Sequence, residues 1–170
     1  MISAETVDRV LERVSTVSAA GAQQLANQMA RDQPMILAYL LAASQNKVFT
    51  RDEGETLFFV GMVVSQIMKE GGFGSTKITE EDMDKAEKAN DHLLEKLESD
   101  SEGDFISGAE ATVGNCPEPE VLRYITQALM EDEEGNPDNP PFSEESVGQA
   151  FLYLRIVLDA FVASGVERGA

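Results

Sequence analysis

A chain of 170 residues that is 42% hydrophobic can bury the core of one domain, and that hydrophobic share excludes a wholly disordered chain. Its 31 acidic residues against 13 Lys and Arg leave a formal net charge of −18. A surface of that sign repels phosphate backbones and anionic lipids, which disfavours nucleic-acid and membrane partners and leaves basic proteins, cations or plain solubility.

Cys116 is the one cysteine, so an intramolecular disulfide and Cys/His metal clusters are excluded and a reducing compartment is indicated. Met1 to Glu5 lack the basic region and apolar run of a signal peptide. The apolar run Leu57 to Val64 falls short of the roughly 20 residues that span a bilayer. A cytoplasmic protein is the expectation.

In chain order, Ser3 caps a first helix whose stripe is Val7, Val10, Leu11, Val14 and Val17. A second helix covers about Ala19 to Ala30 with Leu25 and Met29 inward, Gly21 lying near the join. Pro34 suits the first turn of a third helix, Pro34 to Gln45, which carries Ile36, Leu37, Leu40 and Leu41. Three later starts share one grammar of apolar residue, hydroxyl cap and acids: Phe49-Thr50 before Asp52 and Glu53, Ile78-Thr79 before Glu80 to Asp82, and Phe142-Ser143 before Glu144 and Glu145. The hydroxyl accepts from a free amide and the acids complement the positive helix end. Thr50 with Glu53 spells a capping box, and Ile78 with Met83 and Phe142 with Val147 have staple spacing.

The helix from Arg51 to Glu70 is apolar on almost every side, which predicts the buried centre of a bundle, and Gly71-Gly72 stops it. The helix from Glu80 to about Glu98 is charged except for a seam of Met83, Ala86, Asn90, Leu93 and Leu97. Residues 99–117 are acidic and rich in Gly and Ser, with Phe105, Ile106 and Val113 as apolar anchors, and read as a long connection. Two last helices, about Pro119 to Glu131 and Glu144 to Ser164, flank the Pro-rich stretch Asp132 to Pro141. No segment sustains strand-like alternation.

Pro34 to Leu40 and Pro119 to Ile125 share one pattern: Pro, any residue, β-branched, Leu, any residue, Tyr, aliphatic. Each is followed by a loop, a Phe with a hydroxyl cap, and a long apolar helix in which Phe58 and Val64 align with Phe151 and Val157. The second loop is eight residues longer. The expected fold is therefore all-α: one compact domain over 1–170, a bundle of about seven helices. It comprises two related three-helix halves, near 1–98 and 118–170, plus an extra N-terminal helix.

Side chains fit for chemistry are few. His92 sits off the seam of a charged helix and Cys116 in a loop, and nothing brings them together as a catalytic pair. Ala89 stands three residues before His92, so the Glu-x-x-His pairs of a di-iron bundle are absent. Gly71 to Lys77 follows a helix and lacks the Gly-Lys-Ser/Thr order of a phosphate loop. Glu134, Asn136, Asp138 and Glu145 occupy positions 1, 3, 5 and 12 of a calcium-loop frame, but Asn139 replaces its glycine and Pro140 and Pro141 stiffen it. Tyr39 and Tyr124 suit helix boundaries, Gln66 a helix's polar side, Arg155 and Asp159 a local ion pair, and the methionines core filling.

No catalytic, cofactor-binding or metal site emerges. The reading is a non-enzymatic protein-interaction module (adaptor, small chaperone or regulatory subunit) whose acidic surface meets a basic partner. The alternative is a small-molecule or cation binder, including an enzyme that works through carboxylates alone. A homo-oligomer is a third option, because two long apolar helices offer more surface than one chain readily covers.

Overall fold

The computed structural model describes residues 1–91, 95, 116–131, 138 and 140–169, with side chains to 165. Among them are seven helices: α1 Ala4–Ser15, α2 Ala19–Asp32, α3 Pro34–Ser44, α4 Arg51–Glu70, α5 Glu80–Ala89, α6 Pro119–Met130 and α7 Val147–Gly169. The fold is all-α.

Helices α4 and α7 form the centre and run side by side in one direction. Their starts meet where the Ser146 hydroxyl bonds Glu53, and their ends where Phe73, just beyond α4, packs on Gly165 of α7. Leu57, Val64, Ile67 and Met68 of α4 and Leu154, Val157, Leu158 and Phe161 of α7 are almost wholly shielded from solvent. Around this pair α3 and α1 pack on α4, while α6 and α5 pack on α7. Burial of Leu57 and of every residue from Val60 to Ser65 explains why α4 reads as apolar nearly all round, although Phe59 is 45% exposed.

Three outer helices bury residues of the stripe that their spacing predicts, while in α2 Met29 is buried and Leu25 only half-buried. Val7, Val10 and Val14 of α1 are buried, as are Ile36 and Leu40 of α3 and Met83 and Ala86 of α5. Leu41, in contrast, stands outside the bundle at 45% exposure. Gly21 is no joint: the break falls at Thr16 to Ser18, and the Ser18 hydroxyl caps α2 by accepting from the Gly21 amide. The seam of α5 extends through Asn90, whose side chain is buried; Leu93 and Leu97 lie outside the described residues.

The end of α4 is fully bonded. The Gly72 amide donates to Lys69 O and the Phe73 amide to Met68 O, with Gly72 at φ 95°. These are the paired bonds of a glycine helix stop, at a backbone angle that favours glycine. Helix α7 begins at Val147 rather than at Glu144. Residues 144–146 form a turn whose Ser143 carbonyl accepts from the Ser146 and Val147 amides, while Glu53 takes the Ser143 amide and the Ser146 hydroxyl.

Residues 147–165 reach a mean hydropathy of 1.4, the one stretch among the described residues long and apolar enough to cross a membrane. It exceeds the run Leu57 to Val64 that stands out in the sequence, because the Arg155–Asp159 pair interrupts it only briefly. With 67% of that window buried against other helices, its apolarity is accounted for by the core.

Candidate functional site

Four polar junctions and one open corner are the features that could carry function. The first junction is Glu53. Its Oε1 accepts from the Thr50 amide at 2.8 Å, and the Thr50 hydroxyl accepts from the Glu53 amide, completing the capping box. Its Oε2 reaches across the bundle to the Ser143 amide at 2.9 Å and the Ser146 hydroxyl at 2.5 Å. Burial pushes the carboxyl pKa up, but the bonds from Ser146, Thr50 and Ser143 together outweigh it and hold it below the usual range. Beside this junction Phe49 and Phe142, the two residues that precede the caps, meet edge to face at 6.0 Å.

Gln33 and Glu118 make the second and third. Each is the residue before a helix-opening proline, with matching backbone angles (φ −139°, ψ 66° and φ −125°, ψ 71°) outside the helical region that a following proline disfavours. Gln33 is buried and its amide nitrogen donates to Gly74 O and Thr76 O, while its Oε1 accepts from the Ile78 amide. Glu118 is buried as well and accepts from the Ile2 amide at 2.6 Å. Ile78 and Ile2 each precede the hydroxyl cap of a helix, Thr79 for α5 and Ser3 for α1.

The fourth joins α5 to α7. Asn90 donates to Asp159 Oδ2 at 2.9 Å, and the Arg155 Nε donates to both Asp159 oxygens at 3.2 Å. The Arg155–Asp159 pair therefore does more than bridge one turn of its own helix, since it also receives the polar residue of the α5 seam. Cys116 is nearby and buried, and burial raises its thiol pKa despite the Glu118 amide and the Arg155 charge. A thiol held protonated is a poor nucleophile. His92 lies outside the described residues.

Tyr39 packs edge-on against Tyr153 at 6.0 Å, and burial, with the Glu87 charge second, raises its pKa. Burial raises Tyr124 likewise, so both rings act as boundary packing. Gln66 is half-buried beside a cavity of about 20 Å³ that Gln28, Asp32, Gln33 and Ser65 also line, room for about one water. Met29, Met62, Met68 and Met83 fill the core. In the calcium-loop frame Asp138 and Glu145 are exposed, and Glu134, Asn136 and Asn139 lie outside the described residues. No cluster of three or more potential ligands able to hold a metal occurs among the described residues.

The open corner lies where α3 turns into α4. An open depression of about 660 Å³ there is lined by Leu41, Phe49 and Phe58 together with Lys47, Arg51 and Glu55. Leu41, one of the apolar residues that α3 carries, is 45% exposed there. Of these features only the capping box was legible as a local motif; the cross-bundle partners of Glu53, Gln33 and Glu118 have no spacing signature.

These features define a helical bundle with buried polar junctions. No family model matches the chain, nor does any curated protein or solved structure.

Proposed function

We propose that this protein is a non-enzymatic interaction module whose acidic surface engages a basic partner protein in the cytoplasm. The observation that carries the reading is how the charges are spent. Among the described residues the buried carboxylates are Glu53, Asp82 and Glu118, and each is held by backbone amides within the fold. Seven cations, Arg9, Arg13, Arg51, Lys69, Lys85, Arg123 and Arg155, already stand against carboxylates. The surplus acid is left facing solvent, where it attracts a basic surface and speeds encounter with it. Pull-downs with the full chain at low and high salt test this: basic proteins retained at low salt and released at high salt are expected. Retention of none in either condition would remove the reading.

The same proposal includes two related halves. Residues in equivalent positions touch each other, Phe49 with Phe142 and Glu53 with Ser146, as positions near a two-fold axis must. Gln33 and Glu118 repeat one bond with Ile78 and Ile2. That pairing supports α1, rather than α2, as the counterpart of α5, with α2 as the added helix.

A further inference from the structure

One helix of the bundle is held far less firmly than the rest. Helix α2 has 14 residues and buries only Met29 among them. By contrast, the 12 residues of α1 bury Val7, Val10 and Val14, and the 10 of α5 bury Asp82, Met83 and Ala86. Ala26 touches the edge of the core, and Leu25 is half-buried. The contact beneath α2 is partly polar and incompletely filled. Its cavity of about 20 Å³ lies between Gln28, Met29 and Asp32 of α2 and, opposite, Ser65 and Lys69 of α4 and Phe161 of α7. Asp32 pairs with Lys69 at 3.2 Å, but both side chains are about half exposed, where such a pair contributes little. The residues that bracket α2 are held by other partners. Val14 is buried before the break at Thr16 to Ser18, and the Gln33 side chain is bonded to Gly74, Thr76 and Ile78.

We propose that α2 is a detachable strap: residues 16–32 leave the bundle as a unit while Val14 and Gln33 stay in place, and the closed cavity beneath becomes an open cleft. Local opening costs only the contacts that the segment itself makes. A segment with few buried apolar side chains therefore opens far more often than the whole fold does. Lifting α2 exposes one buried methionine and the margins of its neighbours, whereas global unfolding exposes the α4–α7 centre. Released from its packing, a 14-residue helix is marginal in water, so the strap frays once it lifts. The cleft is floored by Ser65 and Phe161, which are 6% and 1% exposed while α2 is docked. The strap is independent of the acidic-surface reading, and loss of either leaves the other standing.

Native-state hydrogen exchange on the full chain tests the strap. The α2 amides from Gln23 onward are expected to exchange at least about a hundredfold faster than the core amides of α4 and α7. Low urea should leave the α2 rate nearly unchanged, because the opening exposes little surface, and should speed the α4 and α7 rates steeply. A core truncation in α6, Val121→Ala, separates local from global opening, since α6 packs on α7, α4 and α1. It should speed exchange in α4 and α7 about tenfold or more and leave α2 unchanged. Exchange of α2 at the rate of α4, or with its urea dependence, would overturn the strap, and the wild type alone reads this if Val121→Ala does not fold. Equal acceleration of α2 and α4 in Val121→Ala would overturn it as well. Maleimide labelling of Ser65→Cys, resolved from Cys116 by peptide mass spectrometry, should share the shallow urea dependence of α2. Labelling as steep in urea as α4 exchange would overturn the cleft.

Discussion

Glu53 satisfies the Thr50 amide with one oxygen and the Ser143 amide and Ser146 hydroxyl with the other, so one buried carboxylate closes the starts of both central helices. A folded pKa below the ordinary value means that this stabilisation is full above the unfolded carboxyl pKa and is lost as pH falls through the folded one. Replacing Glu53 by Gln should therefore cost about 1–3 kcal/mol near pH 7. Acidification also relieves repulsion in so acidic a chain, so the informative quantity is the difference between wild type and Glu53→Gln. That difference should shrink as urea unfolding is repeated from pH 6 down to about pH 3; a constant difference would show that Glu53 ionisation contributes nothing. Half of this site was legible in the sequence. Thr50 and Glu53 stand three apart and announce a capping box, whereas Ser143 and Ser146 lie 90 or more residues away and carry no pattern that names Glu53.

At the scale of elements, close approach decides what periodicity leaves open. The α3–α4 hairpin is antiparallel, with Ser44 against Gly54 and Leu40 against Gly61. A Cβ on Gly54 would overlap the Ser44 carbonyl oxygen, which belongs to backbone and has little room to move. A Cβ on Gly61 would meet only the Leu40 side chain. Thermal unfolding should show Gly54→Ala destabilised by at least about 1–3 kcal/mol, the scale of overpacking, and Gly61→Ala by less. The reverse order would mean that the helices separate freely at Ser44. Helix starts at Thr50 and Thr79 follow from local hydrogen-bonding chemistry and appear where the hydroxyl caps place them. Helix α7 begins at Val147, after a turn at 144–146 that the Ser143 carbonyl closes, and its cap residues Ser143 and Ser146 also bond Glu53 of α4. Asn90 follows the same logic: its seam position is readable, but its partner Asp159 is supplied by α7.

At the scale of the whole molecule, a net charge of −18 with seven cations already paired makes self-repulsion a standing cost of the compact state. Screening should relieve it, so the melting temperature is expected to rise between about 10 mM and 0.5 M sodium chloride, where the Debye length falls from about 30 Å to a few ångströms. A melting temperature that falls instead would mean that the surface ion pairs outweigh the repulsion. The all-α class, the buried role of α4 and most helix limits were determined by the sequence alone, since hydrophobic spacing, caps and glycine stops act within a few residues of themselves. Tertiary structure decided which helices pair, which carboxylates are buried and bonded, and that Leu41 faces water rather than the core. Those outcomes depend on what lies opposite each face, and residues far apart in the chain bring that neighbour.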